Sequence, residues 1–463
     1  MKDKAALELA RRLHGYHQTE REKLDVIRRY YKGVQARPMA IPKSSPREVI
    51  VMARSARVNV MPIVVNSLVQ SMYVDGFRSR EESENSVVWD AWQANQMDAR
   101  QLAVNRATFQ FGVSYIAVLP ARDGEAYPRM VPLSPRRLTV LYGEDHMWPI
   151  AALEKLDNGL WRLYDESAYY LIQLSDSLDR RRGIDSRDDD VIDVDEHEFG
   201  VTPVVRYVDE EDLDAEDDVE PEEYGPGEVS PVLRGQVAPL MPIQDQIDLT
   251  TFGLHVAQHY GAFRQRYIIG WTAKSEEKAL KVAASKVWTF DNDPEDIKLG
   301  EFEQTRIDGY IESREASLRH AATLSQTPAH ELTGQLIQMS AEALAAAEAG
   351  KDRKVEERQA TIGESHEQTL QLVGRAMGVE VANDAQVIWR DTSARSFAAT
   401  VDALGKAAQL LEVPPEELWE RIPGVTQQDV ERWRRGRSEG SAFDRLAGIL
   451  ERQSNPAAAP VAA

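Results

Sequence analysis

Apolar residues fall at helical spacing near the start of the chain. Leu9, Leu13, Leu24 and Ile27 share one face of a helix expected over Ala5 to Arg29, and charged residues fill the rest. Tyr30-Tyr31-Lys32-Gly33 closes it, and Pro38, Pro42 and Pro46 mark an extended connector. The pattern then predicts a helix around Val49 to Ser71, a short strand at Val74 to Arg78, and a helix from Val87 to Phe111 stopped by Gly112. From Ser114 to about Tyr207 the pattern changes to short alternating runs: 114–119, 129–133, 138–142, 151–155, 160–164, 169–172 and 197–205. After that the chain reads helical. Over 231–263, Ile243, Ile247, Leu254 and Ala257 mark one apolar face, while Leu249, Phe252, Val256, Tyr260 and Phe263 mark another. Two such faces predict contacts on two sides. Strands at 265–270 and 287–290 around a short helix at 275–284 precede a helix over Gly309 to Gln326.

The stretch from Thr327 to Gly378 organises the rest. Thr327-Pro328-Ala329-His330-Glu331-Leu332-Thr333-Gly334 leads past Ser340, a candidate N-cap, into a proline-free run ending near Met377. A single helix there is about 55 Å long at 1.5 Å per residue. Its large apolar residues are few: Leu344, Val355, Ile362, Leu370, Leu372, Val373 and Met377. That thin stripe leaves two readings open: a helix broken at Gly350 or Gly363 inside an ordinary domain, or a long helix completed by a larger assembly.

At 463 residues the chain has room for two or three domains. It contains no cysteine, which excludes disulfides and thiolate metal sites. The most apolar candidate span, Val58 to Val69, holds Asn59, Pro62 and Asn66 and is too short to cross a membrane. The net charge of −21 is local: residues 185–228 carry 20 acidic and 2 basic side chains, −18 of the total. The block reads as a solvated edge and loop region, with a cation site or a surface that repels nucleic acid as sharper alternatives; ligand spacing of the EF-hand kind is absent.

Catalytic motifs are mostly missing. There is no phosphate-binding loop and no paired-histidine zinc motif. Gly436-Arg437-Ser438-Glu439-Gly440 matches a nucleophile elbow only formally, because Trp433-Arg434-Arg435 rather than a buried strand precedes it. His255 and His259 stand one helical turn apart, but only Asp248 is placed to join them on a metal. Arg432, Arg434, Arg435 and Arg437 form a basic cluster that could meet phosphate or simply solvate a helix end. No metal or cofactor is expected.

Several stretches, taken in order, resemble the portal proteins of tailed double-stranded-DNA bacteriophages of the siphophage and actinobacteriophage type. They are Tyr30-Tyr31-Lys32-Gly33; Asn59 through Asn66 to Val74-Asp75-Gly76-Phe77; Trp92-x-x-Asn95-x-Met97-Asp98; Phe111-Gly112-x-Ser114-Tyr115; His197-Glu198-Phe199-Gly200-x-x-Pro203-Val204-Val205; Ile243-Gln244-Asp245-Gln246-Ile247-Asp248; Arg264-Gln265-Arg266-Tyr267-x-x-Gly270; and Thr327-Pro328-x-His330 followed by Ser340-Ala341-Glu342-Ala343-Leu344. The resemblance implies an α+β, predominantly helical portal fold with wing, stem, clip and crown, assembled as a ring, usually of twelve subunits, at one capsid vertex. Residues 1–235 and 378–396 map to the wing, 236–263 and 309–326 to the stem, 264–308 to the clip, 327–340 to a tunnel loop, 341–377 to a wing spine helix and 397–463 to the crown and a disordered tail.

The same resemblance implies roles. His330, Glu331, Thr333, Gln335, Gln338 and Ser340 would face DNA, with His330 and Glu331 guarding the start and the uncharged Thr333, Gln335, Gln338 and Ser340 letting DNA slide where lysine or arginine rings would grip. Ile243, Ile247, Leu249, Phe252, Leu254, Val256 and Tyr260 would form stem contacts between subunits. Arg266, Tyr267, Trp271, Trp288 and Phe290 in the clip would meet the large terminase subunit and then the head–tail adaptor, and Arg432, Arg434, Arg435 and Arg437 would lie in the crown. Further implied partners are double-stranded DNA without sequence specificity, the major capsid protein and scaffold, with no membrane. The implied setting is the virion after assembly in the host cytoplasm, and the implied role is a conduit rather than an enzyme. Competing readings are a structural ring or adaptor scaffold that does not handle DNA, and a metal-dependent hydrolase using the acidic block.

Overall fold

The computed structural model describes residues 3–36, 44–79, 85–143, 147–174, 189–211, 235–261, 266–269, 298–301, 306–334, 341–390, 397–422, 424–425, 429–430 and 432–437. In chain order the elements are α1 (Asp3–Tyr31), α2 (Arg47–Ser55), α3 (Met61–Val69), β1 (Val74–Arg78), α4 (Val88–Ala94), α5 (Met97–Phe111), β2 (Val113–Leu119), β3 (Arg129–Leu133), β4 (Leu138–Leu141), β5 (Ala151–Lys155), β6 (Leu160–Tyr164), β7 (Ala168–Gln173), β8 (Asp190–Glu196) and β9 (Val204–Val208). After a 3-10 turn at Ala238–Leu240 come α6 (Met241–Gly261), β10 (Arg266–Ile269), β11 (Lys298–Glu301), α7 (Asp308–Ser325), α8 (Ala329–Thr333), α9 (Ala341–Met377), β12 (Gln386–Trp389), α10 (Phe397–Leu410) and α11 (Pro415–Leu418).

The chain divides into two compact units, one of residues 1–24, 66–235 and 352–463, the other of residues 25–65 and 236–351. In the first, β4-β5-β6-β7-β8 form an antiparallel sheet in sequence order. The apolar positions of its inner face pack under the first turns of α1: Ala6, Ala10 and Leu13 meet Leu153, Trp161, Leu163, Tyr170 and Ile172. His14 and His17 stand edge-on to Trp161 at 4.8 and 5.1 Å. A second sheet, β3-β2-β9, centres on β2, every residue of which is buried. Gly112, at φ +91°, turns the chain from α5 into β2, and Gly235 comes so close that a Cβ there would lie 2.5 Å from the Gly112 nitrogen. A third pairing joins β1 to β12.

Residues 352–377 of α9 also belong to this unit. Their buried stripe is wider than its apolar residues suggested. Val355, Ile362, Leu370, Leu372 and Val373 are buried, and so are Arg358, His366 and Thr369. Tyr207 reaches both His366 Nδ1 (3.1 Å) and Thr369 Oγ1 (2.7 Å) through its hydroxyl. Burial pushes the His366 imidazole down to about 3, so it is neutral. Arg358 donates to Asp209 at 2.9 Å and to Glu210 at 3.3 Å. Over 352–377 the stripe is therefore completed by polar side chains of the same chain. The helix is also continuous through Gly350 and Gly363.

Other expectations shift in detail. The helix expected over 49–71 is two, separated by residues 56–60. That expected over 87–111 is broken at Gln96, which adopts the left-handed conformation (φ 55°). The strand expected at 197–205 starts only at Val204, and the acidic block contains an edge strand, β8. The helix at 275–284 and the strand at 287–290 lie outside the described residues. Among the described residues no helix is long and apolar enough to cross a membrane.

Candidate functional site

The second unit carries the segments expected to do the work. Its frame is α6, with α7 returning alongside it: Gly253 packs so closely on the Tyr310 ring that a Cβ would lie 2.8 Å from it. One stripe of α6 is covered by its own chain. Gln244, Ile247, Asp248, Thr251 and Leu254 are buried there. The spacing of three and four residues places them on a single face.

That face is pinned by side chains. Gln244 donates to the Val58 carbonyl (2.8 Å) and accepts from the Val60 amide (3.1 Å). Asp248 accepts from Gln35 Nε2 (3.0 Å), Gln244 Nε2 (2.9 Å) and the Val58 amide (3.2 Å). Tyr30 donates to Asp245 (2.8 Å), and Asn59 donates to the Tyr31 carbonyl (2.8 Å). Gly33, at φ +67°, lies where a Cβ would meet the Asn59 amide at 3.1 Å. Burial raises the Asp248 carboxyl above its ordinary range, its hydrogen bonds to Val58 and Gln244 working the other way. Burial and the Asp245 carboxylate together push the Tyr30 phenol up to about 12.

Three of the sequence stretches singled out above thus meet at one place. Tyr30 to Gly33, Asn59 and Gln244 to Asp248 form one hydrogen-bonded latch. Sequence reasoning found the stretches but not their joint role, because the partners are about two hundred residues apart. The latch also takes Asp248 away from His255 and His259; among the described residues no group of three or more His, Asp or Glu could hold a metal ion.

The stem residues divide in two. Ile247 (0% exposed) and Leu254 (6%) are buried inside their own subunit, which corrects their assignment to a contact between subunits. Leu249 is 45% exposed, and Ile243, Phe252 and Val256 are half-buried. Tyr260 lies in α6, its side chain outside the described set.

Residues 327–334, which follow α7, form more than a loop. Gln326 ends α7 in the left-handed conformation, Thr327 is buried and accepts from the Ser325 hydroxyl (2.9 Å), and α8 follows directly. His330, Glu331 and Thr333 are helical residues, a correction to the loop expected there. Glu331 forms an ion pair with Lys351 at 2.9 Å. Gln335, Gln338 and Ser340 lie outside the described residues, as do Trp271, Trp288 and Phe290; Arg266 and Tyr267 belong to β10.

The basic cluster near the end of the chain is paired with acids. Arg432 meets Asp429 (2.6 Å), Arg434 meets Glu420 (3.0 Å), and Arg437 meets Glu416 (3.1 Å); Arg435 is exposed. Residues 432–437 are helical, so the formal nucleophile elbow has no strand in front of it.

Residues 11–441 match the family model described as "Phage portal protein, SPP1 Gp6-like". The chain belongs to the SPP1 Gp6-like family of phage portal proteins. Portal proteins of Mycobacterium phages D29 and L5 are each 24% identical to it over 391 and 394 residues, covering 81% of this chain and 77% of theirs. A chain from the neck of an empty gene transfer agent particle is similar over 82% of this portal-family chain and 97% of its own, at 13% identity and a TM-score of 0.49. Another, from the virion of a native gene transfer agent particle, is 14% identical with a TM-score of 0.47.

Proposed function

We propose that this portal protein closes into a ring of twelve copies at one capsid vertex and conducts double-stranded DNA into and out of the virion. Beyond family membership, one observation carries the reading. One face of α6 is buried by its own chain, while Leu249 stands open and Ile243, Phe252 and Val256 are half covered. An apolar stripe left over on a pinned helix suits a head-to-tail contact with a neighbouring copy, and repetition of such a contact closes a ring.

In this reading α6 and α7 are the stem, residues 264–308 the clip, residues 1–235 and 378–396 together with α9 the wing, and residues from 397 the crown. The stretch 327–340 faces the channel, with Gln335 and Gln338 nearest to DNA and His330 and Thr333 behind them. Polar, uncharged groups there hold the duplex without the counterion release that lysine or arginine rings would bring. The clip residues Arg266, Tyr267, Trp271, Trp288 and Phe290 meet the large terminase subunit during filling and the head–tail adaptor afterwards. The capsid protein and scaffold surround the ring during assembly in the host cytoplasm. The paired crown arginines act within their own subunit.

The ring is tested by Leu249→Asp. Negative-stain images and native mass of the wild-type protein should show closed rings, and the variant should lose them while keeping its helical circular dichroism. Intact rings in the variant would remove the α6 stripe from the interface.

A further inference from the structure

Where α9 packs on β9, α4 and β12 it buries one imidazole completely. His366 is 0% exposed. Its ring stands at a steep angle to Tyr207 at 4.9 Å, Trp92 at 5.2 Å and Trp389 at 6.1 Å. The hydrogen bonds fix where its proton sits. Thr369 donates its hydroxyl to the Ser365 carbonyl (2.9 Å), so it accepts from Tyr207 (2.7 Å). Tyr207 has then spent its own proton and accepts from His366 Nδ1 (3.1 Å). That leaves Nε2 as the bare nitrogen, buried and with no hydrogen-bond partner. A second proton can only go there.

The charges nearby are committed elsewhere. Glu367, the next residue of α9, accepts from the Val387 amide of β12 (3.1 Å). Asp98 accepts from Trp92 Nε1 (3.0 Å). Arg390, beside Trp389, pairs with Asp75 at 2.7 Å. Burial holds the Tyr207 phenol neutral, far above its ordinary range. Among the described residues no carboxylate hydrogen-bonds to the imidazole. The faces of the surrounding rings are weak acceptors and do not replace water around a charge.

We propose that His366 is an acid-operated pin: a proton arriving at Nε2 frees residues 362–373 of α9 from β9, α4 and β12. The sign follows from burial. Below about 6.5 the unfolded chain binds a proton at this imidazole, while the folded chain refuses it until about 3. The contribution of His366 to stability is therefore complete above 6.5 and is lost as pH falls through that window. Burial raises the Glu367 carboxyl, which works the other way and gains in acid. Variants at His366 separate the two.

The test is urea unfolding of the full-length protein from pH 7 to 4.5 at one protein concentration, with amide protection measured alongside. His366→Phe fills the same space and leaves Tyr207 bonded to Thr369. His366→Asn keeps a donor for Tyr207 and does not titrate. Relative to either variant, the wild-type folding constant should fall about a hundredfold between pH 6.5 and 4.5. Over the same interval amide protection at 365–373 and 204–208 should drop in the wild type and hold in the variants. A residue that only packs would give parallel pH profiles for wild type and variants, and that result would overturn the proposal. Exchange of the His366 ring C2 proton, followed in the folded wild type by mass spectrometry, decides the matter if both variants fail to fold. A midpoint well below 6.5 supports the pin, and a midpoint near 6.5 overturns it.

Discussion

The two units are held together by different means. In the first, Trp161, Leu163, Tyr170 and Ile172 are at most 2% exposed beneath α1, and β2 is buried along its whole length. In the second, the helix that matters most is fixed by amides and carboxylates from distant segments, and part of its apolar surface remains open. An apolar core yields stability in proportion to buried area, through a force that has no preferred direction. A polar latch yields less, but each bond specifies a geometry. If α6 meets a neighbouring copy as proposed above, the second arrangement holds its face in a fixed direction.

The largest expected effect lies in the first unit. Trp161→Ala should destabilise the protein by about 4 kcal/mol, the range found for buried aromatic residues, read as a shift in urea midpoint. A loss near 1 kcal/mol would mean that the sheet core is not the main store of stability.

A middle-sized effect distinguishes a buried charge from both devices. Burial lowers the Lys354 ammonium to about 8, against the pull of Asp209. Between pH 8 and its ordinary value near 10.5 the unfolded chain binds the proton that the folded chain has released. The Lys354 contribution to stability must therefore rise with pH across that window. Comparing wild type with Lys354→Met should isolate a rise on the order of 2 kcal/mol between pH 8 and 10 that the variant lacks. Parallel profiles would show that this lysine keeps its charge on folding.

The smallest effect belongs to the latch. Gln244→Ala leaves the Val60 amide and the Val58 carbonyl without their partner and should cost about 1–2 kcal/mol. The signature that separates it from a core defect is local: amide exchange should speed up at Val58 and Val60 and stay unchanged in β5 and β6. Uniform acceleration would erase the contrast between the units.

Much of the first unit was legible because alternation and helical spacing mark apolar layers directly. Strands β2 to β7 were found within a residue or two. What was missed has physical reasons. β8 reads Asp190-Val191-Ile192-Asp193-Val194-Asp195-Glu196, and its charges masked the alternation. The break at Gln96 uses a left-handed residue that is neither glycine nor asparagine, so composition gives no warning. On α9, Arg358, Ile362, His366 and Leu370 recur at every fourth position; counting only apolar residues hid a stripe that this spacing could have revealed. In the second unit the helices were legible, but the latch was not. Nothing local in Gln35 or Asp248 announces a partner across the fold.

The edge strand has one more consequence, for solubility. Asp190 and Asp193 turn their carboxylates onto the backbone amides of Val191 and Val194, at 2.9 and 3.0 Å. Donors that could recruit a foreign strand are thus occupied from within, although Ile192 beside them is 54% exposed. The edge strand thus carries its own stopper against sheet-to-sheet sticking.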